Sequence, residues 1–403
     1  MIDTSTAETG RLNRYGPNTR FVTVTWIAYL ALAPVAWLPG IPHSAFTAAK
    51  NLVFLLAVIF TWAYARRRSV PRGLAGPVGM ALVAATSVFA VAQASGLSTA
   101  LRGTIEIVVA FGILWTLYVF ERDIAPVWSV AAAAAVIQGV LSLLIVAAFL
   151  GWIDLQSPDA LNANTIQDTG LGGWRTGWSN SVAMFVPFAL ALVMRPGKVV
   201  VRLIGVGAVA ATLLGQLISG GRAGVFVTLL SVLLMVTFAY GIPGIVIGLT
   251  AVFTGAYLLL SGFAARFGID RFDEPFGDID DLSSGRLELL RFGVEKVGER
   301  PLIGHGNGQP VVALANGDTL EIHNIWLRIA AEGGIFLVVS FAAVVLSILG
   351  KAVDVLWRAT LAGSRAPIIE AAALLASLVG GIVISMVEPN IFFGTMHASA
   401  IWW

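Results

Sequence analysis

The 403-residue chain contains no cysteine, which excludes disulfides, thiolate catalysis and cysteine-held zinc or iron–sulfur clusters. Charge is scarce as well. Asp, Glu, Lys and Arg make up 12% of residues, and 25 basic against 23 acidic side chains leave a formal net charge of +2. That is too little for the basic footprint nucleic-acid binding uses, so no nucleic acid is expected as a partner. No G-x-x-x-x-G-K-[ST] or G-x-G-x-x-G stretch is present to cradle a nucleotide, and no cofactor is expected. Four histidines are available for imidazole chemistry, and none forms a His-x-x-x-His or paired carboxylate–histidine spacing, so no metal site is expected.

What the chain does have is apolar length. Hydrophobic residues reach 57% and the mean hydropathy is +0.85, which place it in a bilayer. A helix crossing about 30 Å of hydrocarbon needs roughly 20 mostly apolar residues. Runs of that kind occur near 21–39, 48–65, 77–94, 104–120, 126–150, 181–195, 199–218, 224–240, 243–262, 323–350 and 367–388. The segment Ile391 to Trp403 is again apolar but too short to cross, and reads as part of a twelfth helix or as an interfacial segment anchored by Trp402 and Trp403. The expected fold is therefore all-α, a polytopic membrane helix bundle with 11–12 spans. Its parts are an N-terminal cytoplasmic segment 1–20, a bundle 21–262 of nine spans, a long outer loop 263–322 and C-terminal spans 323–403. The first span follows Arg11, Arg14 and Arg20 without a convincing cleavage site and reads as retained.

Arginine and lysine in short loops stay cytoplasmic during insertion. With the N-terminus inside, 14 of the 25 basic residues fall in inner segments, among them Arg66, Arg67, Arg68, Arg122, Arg195, Lys198, Arg202, Lys351, Arg358 and Arg365. The loop 263–322 then lies outside and holds 11 of the 23 acidic residues. Within it, Ser284 to Arg300 reads as an amphipathic helix, capped by Ser283 or Ser284 and ended by Pro301. Leu287, Leu290, Val294 and Val297 form its apolar stripe, which suits a helix on the membrane surface or a lid.

On this topology His43, His305, His323 and His397 all fall on or near the outer face, so the chemistry is expected there. Three constellations carry it. Ser219-Gly220-Gly221-Arg222-Ala223-Gly224 joins two spans; its glycines and the Arg222 fork suit an anion, or equally a tight turn with a snorkelling arginine. Ser284-Gly285-Arg286 puts an arginine against the dipole of a helix start, which a bound anion or the neighbours Asp280, Asp281 and Glu288 could offset. Pro301 to Gly308, with His305, precedes His323-Asn324 and then Glu332-Gly333-Gly334; His323 could take a proton from a hydroxyl with Asn324 orienting it, or the two could simply cap a helix. Among intramembrane polar groups, Arg102 with Glu106, Gln138, Gln216, Glu370 and Glu388 mark a pathway or buried pairs, and Gln216 lies one turn before the glycine corner.

Taken together, these motifs resemble the O-antigen ligase and O-antigen polymerase superfamily of bacterial envelope glycosyltransferases. The likeness rests on S-G-G-R-A-G at Ser219 to Gly224, S-G-R at Ser284 to Arg286, E-R-P-L-I-G-x-G at Glu299 to Gly306, and H-N-x-x-L with E-G-G at His323 to Gly334. The resemblance implies an inner-membrane transferase working at the periplasmic face without a metal. Its donor would be an undecaprenyl-diphosphate-linked glycan and its acceptor a glycan or lipid A–core. Arg222 and Arg286 would hold the diphosphate, His323 would assist the acceptor hydroxyl, and Ser219, Gly221, Gln216, Asn324 and His305 would line the substrate site. His305 stands where the family often has an aromatic or small residue. The intact S-G-R and E-R-P-L-I-G-x-G stretches read closer to a polymerase than to a ligase; a lipid or polysaccharide flippase is the alternative of another class, expected to carry charged or broken helices near the bilayer midplane.

Overall fold

The computed structural model describes residues 17–32, 52–61, 63, 124–153, 175–219, 221–261, 286–306, 312–313, 319–320 and 322–386. The apolar runs at 77–94 and 104–120, Arg102 and Glu106, His43, His397, Glu388, Ser283 to Gly285 and the terminal segment from Ile391 lie outside the described residues. The described chain is helical: α1 Pro17–Leu32, α2 Leu52–Thr61, α3 Ile124–Phe149, α4 Arg175–Ala183, α5 Val186–Met194, α6 Val199–Ser219, α7 Arg222–Tyr240, α8 Ile242–Leu260, α9 Arg286–Glu299, α10 Ile325–Leu361 and α11 Arg365–Ile384. Two residues, Val312–Ala313, pair antiparallel with Thr319–Leu320, the one strand pair among the described residues. Five of these helices (α3, α6, α7, α10 and α11) are long and apolar enough to cross a membrane. The chain is a multi-pass helical membrane protein.

Small residues let the helices approach closely, as packing in lipid requires. A side chain at Gly139 on α3 would stand 2.7 Å from the Ala208 backbone on α6. The core runs through α1 to α3, α5, α7, α10 and α11, with Tyr29, Met184, Met235, Phe341 and Ile369 fully buried. Around Tyr29, Trp26 and Phe54 stack edge-on or tilted at ring distances of 5.4 to 5.9 Å.

The run at 181–195, expected as one span, is two short helices that begin earlier, at Arg175, and break at Met184–Phe185. Pro187 causes the break: it has no N–H for the carbonyl of Ala183, and its ring clashes with it. The Met184 carbonyl freed there accepts from the buried Ser377 hydroxyl of α11 at 2.8 Å.

One end of the bundle gathers basic residues. Arg195 after α5 pairs with Glu370 of α11 at 3.0 Å and lies 6.0 Å from the Trp128 ring, while Arg365 stands 5.1 Å over Tyr240. Glu370 is thus half of an ion pair. The Tyr240–Arg365 contact joins the end of α7 to the start of α11, so these two helices run antiparallel. The opposite end of the bundle carries Arg222, His323 and Asn324.

Candidate active site

The glycine corner is built from the inside. Ser219 closes α6 and Arg222 opens α7. Gln216, fully buried, donates to the Ser179 carbonyl of α4 at 2.9 Å and accepts from Thr228 of α7 at 3.0 Å, while Ser219 donates to the Gln216 carbonyl at 2.9 Å. Ser179 in turn donates to the Gly221 carbonyl at 3.2 Å. A side chain at Gly221 would meet the Ser179 hydroxyl at 2.5 Å, and one at Gly224 the Ser179 carbonyl oxygen at the same distance. The glycines therefore serve a close approach of α7 to α4, and Gln216 and Ser219 stand behind the corner and hold it. A network with every member bonded is rigid, because unpairing any buried group costs about 1–3 kcal/mol. Arg222 is left half-buried at the first position of α7, where its guanidinium adds to the positive end of the helix.

The second part of the site is a helix that turns on itself. The run expected as a span from 323 to 350 is α10, which reaches Leu361 and is broken at Gly334, with φ 68° and ψ −169°. The Trp326 and Phe341 rings lie 5.2 Å apart, whereas fifteen residues of straight helix would separate them by about 22 Å. The short arm, 325–333, thus folds back along the long arm, 335–361. The reversal strips three backbone groups of their helical partners, and the loop after α9 replaces each one. Ala331 O accepts from His305 N at 2.7 Å, Glu332 O from Gly306 N at 2.9 Å, and Ile335 N donates to Pro301 O at 2.8 Å. Gly304, φ 68°, packs so tightly that a side chain would meet the Glu332 carbonyl at 2.4 Å. The E-R-P-L-I-G-x-G and E-G-G motifs are two halves of one joint.

His323 and Asn324 precede the short arm. Asn324 caps it, its Oδ1 accepting from Leu327 N at 3.0 Å, and its Nδ2 donates to Met386 O at the end of α11 at 3.1 Å. Ile325 N donates to Ser385 O at 3.0 Å. His323 is half-buried beside this cap. The two halves of the site meet through α11, whose Gly380 packs on Ser231 and Val227 of α7. Met386 is six residues past Gly380, about 9 Å of rise, and Arg222 is five residues before Val227, about 8 Å in the matching antiparallel direction. Arg222 and His323 therefore stand at the same level on two neighbours of α11.

Helix α9 brings the third residue. Leu289 is buried, and Gly293 lies against Ile322 and Leu327, so α9 packs beside the start of α10. Arg286 is the first residue of α9, about two turns from that contact. His305 closes the other end of α9: its Nε2 is 2.9 Å from the Lys296 carbonyl, which makes it the donor, and 3.6 Å from a Glu299 carboxylate oxygen. Lys296 also pairs with Glu299, and this contact holds the carboxyl below its usual range and the ammonium above its own. His305 is thereby engaged as a C-terminal cap of α9. His305→Ala is expected to cost about 0.5–1.5 kcal/mol of stability, read from thermal unfolding in detergent, with transfer rates within a few-fold of the parent; a loss as large as that of His323→Ala would overturn this assignment.

Sequence reasoning missed two contributors. Ser179 receives both glycines of the corner, yet it sits 42 residues from Gly221 and nothing local signals the contact. Arg328 and Glu332 form a buried ion pair at 2.8 Å on the short arm, 6% and 12% exposed. Their i, i+4 spacing inside an apolar run was the available signal, because a bilayer admits an arginine most readily with its counter-charge.

Residues 171–342 match the family model described as O-antigen ligase, Wzy_C. No curated protein matches the chain. The matched stretch contains Ser179, the glycine corner, Arg286, the loop 301–306, His323 and the whole folded-back arm of α10. Through these residues this stretch of the chain is similar to the O-antigen ligase family.

Proposed function

We propose that the protein is a glycosyltransferase that moves a glycan from undecaprenyl diphosphate to an acceptor hydroxyl at the periplasmic face of the bacterial inner membrane, and that it polymerises polysaccharide repeat units. The observation that carries the reading is that Arg222 and His323 stand at the same level on two neighbours of α11, at the end of the bundle opposite Arg195, Arg365 and Arg358. Basic residues mark the cytoplasmic side, so the site faces outward, where no nucleotide sugar is available and a lipid diphosphate supplies the driving force.

In this reading Arg222, with Arg286, neutralises the diphosphate as it departs, stabilising charge where it develops. His323 takes the acceptor proton as the hydroxyl oxygen attacks the anomeric carbon and the bond to the diphosphate oxygen breaks. One displacement assisted by one base inverts the anomeric centre, and the two guanidinium groups take the part a metal would otherwise play. Gln216, Ser219, Gly221 and Asn324 act as the frame that fixes Arg222 and His323, and His305 secures α9. The description of the matching family model favours a second reading, ligation of the glycan to lipid A–core. A flippase is less well supported, since the break in α10 lies at Gly334, about 30 Å of helix from the charged Asp354 and so near a bilayer boundary.

The test is to incubate purified protein in detergent with a lipid-linked oligosaccharide, with and without lipid A–core, and weigh the products. Elongated lipid-linked glycan with inverted configuration is the expected result. Product formed only with lipid A–core replaces the polymerase by the ligase, retained configuration removes the single displacement, and no covalent product under either condition overturns transfer altogether.

A further inference from the structure

Helix α9 has two apolar faces. Leu289 and Gly293 make the face that packs on α10, but the stripe of Leu287, Leu290, Val294 and Val297 is turned about 100° from it around the helix. Val294 is 60% exposed. Past the end of α9, Leu302 and Ile303 are exposed too, and the bond from Ile335 N to Pro301 O sets them beside Ile335, Phe336 and Val339, all exposed on the long arm of α10. The apolar surface of the corner is continuous with the lipid-facing side of a membrane-spanning helix.

The depth of this surface follows from the long arm. Lys351 and the exposed Asp354–Arg358 pair, at 2.7 Å, mark the opposite boundary. From Ile335 to Lys351 the helix rises about 24 Å and to Asp354 about 28 Å, no more than the roughly 30 Å of hydrocarbon. Lipid tails therefore reach Ile335, and with it the loop bonded to it. We infer that the α9 corner is an interfacial anchor: acyl chains of the leaflet at the site end cover Val294, Leu302 and Ile303, and the exposed Arg291 and Arg300 beside them reach headgroup phosphates. Glu288, Glu295 and Glu299 lie on the other side of α9, toward water. The corner is held to α10 by backbone bonds, so α9 lies on the membrane at a fixed depth.

The absence of cysteine makes a direct test available. Single-cysteine variants Val294→Cys and Leu302→Cys, with Phe336→Cys and Glu295→Cys as lipid and water references, are nitroxide-labelled and reconstituted as full chains in phosphatidylethanolamine–phosphatidylglycerol vesicles. All four side chains are exposed, so the substitutions leave the packing in place. Labels at 294 and 302 should collide with oxygen and be shielded from a nickel chelate as at 336, with an oxygen-to-nickel ratio severalfold above that at 295. Nickel access equal to that at 295 means the corner faces water and overturns the inference; shielding from both reagents means protein covers it, and overturns it equally.

Discussion

Replacing His323 by alanine is expected to slow glycan transfer by about 10²–10⁴-fold, the usual contribution of a positioned general base. The protein itself should stay folded, because Asn324 caps the short arm of α10 and, with Ile325 N, bonds it to the end of α11. Arg222→Ala is expected to cost about 10²–10³-fold by removing one donor to the developing charge, and Arg222→Lys to recover part of it, since lysine keeps the charge and loses the fork. Initial rates with a lipid-linked oligosaccharide measure all three variants. A His323→Ala enzyme within a few-fold of the parent would remove the base from the mechanism.

Substituting Gly334 should be the most damaging change to the fold. At φ 68° and ψ −169° the backbone lies in a region essentially reserved for glycine, and a side chain there would meet the Leu302 carbonyl oxygen at 2.1 Å. Backbone strain and overpacking together put the cost of Gly334→Ala at roughly 2–5 kcal/mol. The variant relieves this by straightening α10, which pulls Ile335 N away from Pro301 and returns it to Ala331 O. Loss of the monodisperse peak in detergent size-exclusion chromatography, or a large drop in unfolding temperature, is the expected readout. Gly350→Ala, with open space around it, should unfold at or slightly above the parent temperature. A Gly334→Ala protein as stable as the parent would show that the fold-back is not built on this residue.

Much of this was legible along the chain because the bilayer sets one length and one polarity for a spanning helix. The runs at 126–150, 199–218, 224–240 and 367–388 correspond to α3, α6, α7 and α11 to within a few residues. The helix expected over Ser284 to Arg300 is α9, ending before Pro301 as read. Hydropathy fails where a helix is broken without losing its apolar character. Pro187 splits one run yet remains surrounded by Phe188, Ala189 and Leu190, and Gly334 reverses another that stays apolar on both sides. The apolar stripe of α9 was visible too, but not that Leu289 and Gly293 would be the face against α10.

The sequence by itself determined that this is a helical membrane protein, which end of each span carries its scarce charge, and which motifs carry its likeness to the O-antigen ligase family. Those properties depend on composition and on neighbours three or four residues apart. Only the tertiary structure decided how the motifs meet. The glycines of the corner serve Ser179, 42 residues away, and the loop 301–306 supplies the hydrogen bonds α10 gives up at Gly334. Asn324 caps a helix while holding the end of α11. The physical reason is that a buried backbone group must find a partner wherever the fold brings one, and which partner that is depends on which helices touch.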